Sequence, residues 1–250
     1  MFRRKRIHSA GNKSSTNIID FGPPFDDLKA VNKYFASVAT DPAYDKQVVL
    51  DFVRPADCNE IKKFYEFSVF QALQHIKCTA QGCDPIPYWF LKHCALELTP
   101  VITHLFNLIL FTGISPDSWK HSIITPIPKV NPPSSLSDLR PISVTPILSR
   151  VFERLFVKWH LLHSLPKSLL EDQFAFRPTG STTAALTYIF HNAASLLERC
   201  EYVQCFLVDF SKAFDTVSHS VLLEKLTTYR VLQYVTKWIT NFLTDRTQSI

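Results

Sequence analysis

The sequence predicts an α+β fold, mostly helical, with a small β arm and the beginning of a second sheet. Three observations carry this. Val144, Ile147, Leu148, Val151, Phe152, Leu155, Phe156 and Trp159 keep the i, i+3, i+4 rhythm of an amphipathic helix. His121 to Lys129 is instead rich in β-favouring residues and carries Pro126 and Pro128. Val203 to Val208 is a short apolar run of the kind that forms a buried strand.

In chain order, residues 1–25 are polar, with Gly, Ser, Asn and a Pro-Pro pair, and are expected to form a flexible leader. Arg3, Arg4, Lys5 and Arg6 make a basic cluster there, either a solvated end or a patch for nuclear import or nucleic acid. Asp27 to Val38 predicts one amphipathic helix, ending near the Asp41-Pro42 turn. Ile61 to Ile76 predicts another, broken by Gln81-Gly82-Cys83-Asp84-Pro85-Ile86-Pro87. Trp89 to Phe111 resumes helical spacing, with Gly113 placed as its C-cap. The two prolines after His121 cannot donate to a ladder, so that segment should be an edge strand or a hairpin arm, followed by a loop from Val130 to Ser137.

A helix begins near Thr145, a loop with Pro178 and Gly180 covers 173–180, and Ser181 to Leu197 is helical again. Short helices follow at about 219–229 and 234–243. The chain then stops at Ile250 after the polar turn Thr244-Asp245-Arg246-Thr247, with no return strand expected, an ending that suggests truncation.

The chain has 250 residues, 46% of them hydrophobic, enough for one sizeable core or two small ones. A formal charge of +5 is compatible with a polyanionic partner without demonstrating one. Cys58, Cys78, Cys83, Cys94, Cys200 and Cys205 show no C-x-x-C pair and no histidines at finger spacing, which argues against zinc and for reduced thiols. No apolar stretch follows the basic N-terminus as in a secretory signal, and Val101 to Phe111 is too short to span a bilayer. An intracellular setting, nuclear or cytoplasmic, is expected.

Asp209 follows the apolar run and Asp215 comes six residues later. A carboxylate at the exit of a buried strand needs a cation or a hydrogen-bond network to offset its desolvation. Alone, such an aspartate is more often a cap or a turn former. Haloacid-dehalogenase phosphatases also place an aspartate after an apolar strand, but they need a second one two residues on, where this chain has Ser211. Lys129 and Arg140 each sit beside prolines that stiffen the backbone. A rigidly held lysine and a fork-shaped guanidinium suit a triphosphate.

Six motifs occur in order: Gly82-Cys83-Asp84-Pro85-Ile86-Pro87, Pro116-Asp117-Ser118-Trp119-Lys120, Pro126-Ile127-Pro128-Lys129, Asp138-Leu139-Arg140-Pro141-Ile142-Ser143, Gln173-Phe174-Ala175-Phe176-Arg177-Pro178 with Ser181-Thr182-Thr183, and Asp209-Phe210-Ser211-Lys212-Ala213-Phe214-Asp215. The series resembles the reverse transcriptase of non-LTR, LINE-type (jockey-like) retrotransposons from about residue 27 to residue 250. Group II intron maturases and telomerases share parts of it, but the Ala-Phe-Asp ending and the Ser-Thr-Thr helix start look more like the LINE type.

That resemblance implies part of a right-hand polymerase fold, with helical fingers, a small β arm and the first part of a palm sheet. It divides the chain into a leader (1–25), a connector (26–60), fingers (61–175) and the start of the palm (176–250). Asp209 is then a catalytic Mg²⁺ ligand with the Phe210 carbonyl as a second contact. Lys129 and Arg140 bind the incoming deoxynucleoside triphosphate, and Phe214 is the steric gate against a ribose 2′-hydroxyl, although a core aromatic would look the same in sequence. Phe176 and Arg177 lie along the template, and the partners are an RNA template and a DNA primer, with no membrane. Asp215 is usual for the motif without being assigned to metal.

The family's downstream Gln-Gly and Tyr-x-Asp-Asp motifs do not follow Asp215 in this sequence and are expected beyond Ile250. One carboxylate cannot hold two divalent cations against a triphosphate. The expectation is therefore a fragment that is inactive by itself. The alternative is a non-catalytic nucleic-acid-binding remnant, or a chain that folds poorly because its strand edges are uncovered.

Overall fold

The computed structural model describes residues 27–38, 41, 44–51, 61–177, 180–210 and 212–250. The leader and its basic cluster, Cys58, Pro178 and Ser211 lie outside the described residues.

Helix α1 (Leu28–Val38) starts where predicted, because the Asp27 carboxylate accepts the N–H groups of Lys29 and Ala30 at 2.9 and 3.2 Å. Helix α2 (Lys46–Asp51) follows. The helix predicted from Ile61 begins later, as α3 (Glu66–Gln74). Residues 61–65 stay non-helical because Asn107 binds the Phe64 backbone twice, accepting its N–H at 2.7 Å and donating to its carbonyl at 3.0 Å. Long-range side-chain bonds here replace the helical ladder.

The predicted helix from Trp89 is two helices, α4 (Tyr88–His93) and α5 (Ala95–Thr112), hinged at Cys94. Gly113 caps α5 in the left-handed conformation (φ 69°) and donates to the Ile109 carbonyl at 2.8 Å. Among the described residues α5 alone is long and apolar enough to cross a membrane, and its Ile102, Phe106, Ile109 and Leu110 are buried against the other helices.

A 3₁₀ turn at Asp117–Lys120 leads into β1 (His121–Pro128), which pairs antiparallel with β2 (Leu139–Val144). The hairpin arm is as predicted. An edge position for β1 holds only for its proline half, since His121–Ile123 also pairs, in parallel, with β3 (Thr247–Ser249). The strand order is β2-β1-β3. A return strand therefore exists where none was expected, and the His121 ring nitrogens hold it at the Thr247 and Ser249 hydroxyls (2.8 and 3.1 Å). Helix α1 covers this sheet through Val31 and Phe35, which pack with Ile124 and Leu139.

Helix α6 (Ile147–Phe156) starts two residues after Thr145 because Pro146 disfavours helical backbone in the residue before it. It continues through a π turn (Val157–Leu161) into α7 (Leu162–Ser164). Helices α8 (Thr182–Leu197), α9 (His219–Thr228) and α10 (Gln233–Leu243) match expectation, and the Ser181 hydroxyl caps α8 by accepting the Ala184 N–H at 3.0 Å.

The main core joins α3, α5, α6, α9 and α10. Phe152 lies at its centre, with ring centroids of Trp238, Phe106, Phe64, Phe156 and Trp119 between 5.1 and 6.0 Å away. Each such pair adds about 0.5–1.5 kcal/mol beyond the area it buries.

One predicted element fails. Val203 to Val208 forms no strand: residues 202–210 have no regular structure, and Phe206, Leu207 and Val208 are 79–89% exposed. An extended run becomes a strand only when a neighbour takes its N–H and C=O groups, and no described segment pairs with it. Asp209 therefore does not stand at the end of a buried strand. Helix α8, which precedes this run, likewise buries no side chain.

Candidate functional site

The β1–β2 hairpin is stiffened by Pro126 opposite Pro141 and places both predicted cations on one ribbon. Ile127 is paired with Arg140, so Arg140 and Lys129 project from the same face as diagonal neighbours. The ladder extends one step past β1, since the Lys129 N–H donates to the Asp138 carbonyl at 2.6 Å. The Lys129 ammonium folds back to donate to the Ser137 carbonyl at 2.7 Å, and Arg140 is exposed. Asp138 organises the loop: its carboxylate accepts the Ser134 N–H and hydroxyl and the Ser135 N–H, all at 2.9 Å. The bonds from Ser134 are the main reason its carboxyl lies below the usual range.

Asp209 is exposed, and its carboxylate accepts the N–H of Phe210 at 2.9 Å. Beyond Phe210 the chain turns at Lys212 (φ 53°), whose carbonyl accepts the Asp215 and Thr216 N–H groups at 2.9 and 3.2 Å. This turn carries Phe214 outward, 83% exposed, and leaves Asp215 half-buried. The Phe214 ring meets Phe176 edge-on, with centroids 6.1 Å apart at 88°. Phe176 itself has a left-handed backbone (φ 58°). Arg177 donates to the Leu170 and Glu171 carbonyls at 2.9 and 3.0 Å, which ties its guanidinium to the preceding turn.

Phe214 and Asp215 line a cavity of about 660 Å³ that also reaches Ser122 of β1, Ser143 of β2, Lys46 of α2, and Asp245 and Arg246 beside β3. Lys46 donates to both oxygens of Asp245 at 2.8 Å, which raises the lysine and lowers the carboxyl from their ordinary values. Arg246 lies 4.4 Å over the Phe242 ring and donates to the Phe242 carbonyl at 3.2 Å. Burial pushes its guanidinium below its ordinary value, and Glu153 opposes this. The cavity wall thus presents hydroxyls, the rings of Tyr44, Phe214 and His219, and charges of both signs.

The structure brings some predicted residues together and not others. Phe176 and Phe214 touch, and Lys129 and Arg140 share a hairpin face. Asp209 and the hairpin cations lie outside the set of cavity-lining residues. Lys46, Ser143 and Arg246 were not foreseen. Ser143 lay within a motif, but Lys46 and Asp245 meet across 199 positions and nothing local signals that pairing.

Magnesium takes about six oxygen ligands in near-octahedral array. Among the described residues no group of three or more His, Cys, Asp or Glu could hold a metal ion. Asp215 belongs to the cavity while Asp209 is exposed outside it. The described residues therefore do not supply a complete magnesium site.

Residues 127–250 match the family model described as reverse transcriptase (RNA-dependent DNA polymerase). Residues 127–250 are a reverse transcriptase domain. All seven predicted site residues fall within the matched stretch.

The chain is 32% identical over 123 residues to the RNA-directed DNA polymerase from mobile element jockey of Drosophila melanogaster, covering 48% of this chain and 13% of that protein. It is 32% identical over 142 residues to the probable RNA-directed DNA polymerase from transposon X-element of the same fly, covering 56% and 16%. Similarity to the Pol polyprotein from type-1 retrotransposable element R2 of Popillia japonica reaches 72% of this chain at 28% identity, so it extends upstream of residue 127. The chain spans between 13% and 25% of the length of these relatives. It carries a jockey-like reverse transcriptase domain of a non-LTR retrotransposon.

Proposed function

We propose that this domain serves template-directed addition of deoxynucleotides to a primer 3′-end, with RNA as template. The observation that carries this is the edge-on contact of Phe176 and Phe214, which joins the segment assigned to the template with the segment assigned to the incoming sugar. Phe214 stands at the cavity rim as the steric gate, its ring occupying the place of a 2′-hydroxyl. Lys129 and Arg140, on one face of the stiff hairpin, form the fingers' grip on the triphosphate. Arg177 steadies the template segment. Asp209, with the Phe210 carbonyl, contributes one carboxylate toward a divalent cation, and among the described residues no group of three or more His, Cys, Asp or Glu completes the set.

The incomplete donor set favours a second reading, a domain that binds nucleic acid without synthesis. Primer extension on an RNA template with a DNA primer separates the two. Incorporation that is lost in Asp209→Asn, and that accepts ribonucleotides in Phe214→Val, supports the polymerase. Binding of the template–primer without incorporation supports the second reading. Polymerisation that persists in Asp209→Asn refutes the assigned role.

A further inference from the structure

The π turn after α6 exposes Val157, Lys158 and Trp159 side by side while His160 turns into the core. Such turns recur at functional sites, because an added residue weakens the helical ladder and persists where it re-aims side chains. Trp159 is 44% exposed, Lys158 Nζ lies 5.0 Å from its ring centroid, and His163 stacks nearly parallel to it (6.3 Å, 12°). Residues 61–65 lie against this turn. The Phe64 ring meets His160 at 4.8 Å, and the charges of Lys62 and His163 both act on that imidazole. Lys62, Lys63 and Tyr65 point outward around buried Phe64, with Tyr65 79% exposed. Arg154, one turn before Lys158, is exposed as well, whereas Glu153 beside it turns inward to accept the Ser149 hydroxyl. The exposed acid beside these two segments is Glu66, the first residue of α3.

We infer that this face binds single-stranded nucleic acid, with bases stacking on Trp159 and Tyr65 and phosphates meeting Lys62, Lys63, Arg154 and Lys158. An acidic protein segment would use the cations but has no need of two exposed aromatic planes. Every base has a π face, so the combination favours a nucleic acid strand and predicts little sequence preference. The surface shares no residue with the cavity or the hairpin grip, and the inference stands apart from the polymerase reading.

The test is equilibrium binding of labelled oligouridine and oligoadenosine of about twenty nucleotides to the full chain, in chelator and without nucleotide. Trp159→Ala should weaken both by about ten-fold. Lys62→Gln and Lys158→Gln should each lower the slope of log affinity against log salt by about 0.7. Lys225→Gln, at an exposed cation of α9 outside this face, should leave binding unchanged, and without metal or nucleotide a failure of the polymerase reading cannot imitate failure here. Lys63→Glu, at an exposed position, should weaken binding too and covers the case of a poorly folded Trp159→Ala. Unchanged affinity in folded Trp159→Ala, or in Lys63→Glu, overturns the inference. So does competition by polyglutamate as effective per charge as that by oligouridine, which would mark a face for acidic protein.

Discussion

His160 makes the chain's stability depend on mildly acid pH. The imidazole is 2% exposed, packed edge-on to Phe64 and Tyr234 and stacked on Phe156, with Nδ1 bonded to the Tyr234 hydroxyl at 2.8 Å. Burial foremost, then the like charges of His163 and Lys62, depress its pKa from 6.5 to about 4. The unfolded chain therefore takes up the proton first, and stability falls as pH drops below the unfolded value, levelling off below the folded one. With these two values, linkage gives a loss of about 2 kcal/mol between pH 7 and pH 5, and about 3 kcal/mol by pH 4. Glu153 acts in the opposite sense, because burial raises its carboxyl.

Urea unfolding across this range, compared with His160→Phe, isolates the histidine, since all other titrating groups are common to both proteins. The phenyl ring keeps the aromatic packing and cannot be protonated, so the variant should lose about 2 kcal/mol less than the parent between pH 7 and pH 5. Parallel curves for the two proteins would refute the argument.

Two further perturbations probe the links that hold the helices around the hairpin. A Cβ on Gly82 would sit 2.4–2.7 Å from the backbone of Thr145 and Pro146, and Arg150 pins the same loop through Thr79 and Ala80, so it cannot easily retreat. Gly82→Ala should therefore cost about 1–3 kcal/mol in a urea melt. Asn107→Leu strands the N–H and C=O of Phe64 and should cost about 2 kcal/mol, with faster amide exchange confined first to residues 61–65.

Much of the helical architecture was legible because its signals are local. The apolar spacing of α6, α9 and α10, the caps at Asp27, Ser181 and Gly113, and the proline-marked hairpin all act within a few residues of the element they set. The ordered series of motifs was legible for the same reason. Of the site, the motif residues were legible, but neither the diagonal placement of Lys129 and Arg140 nor the meeting of Phe176 with Phe214 was.

The sequence by itself determined where most of the helices and the hairpin lie and which family the domain resembles. Tertiary structure alone decided that Ile61–Tyr65 stays unwound, held by an asparagine on another helix. It also paired Thr247–Ser249 with β1 and drew Lys46 and Arg246 to the cavity. The run before Asp209 shows the limit most plainly. Its residues favour a strand, but a strand is a relation between two segments, and without a described partner those apolar side chains face solvent.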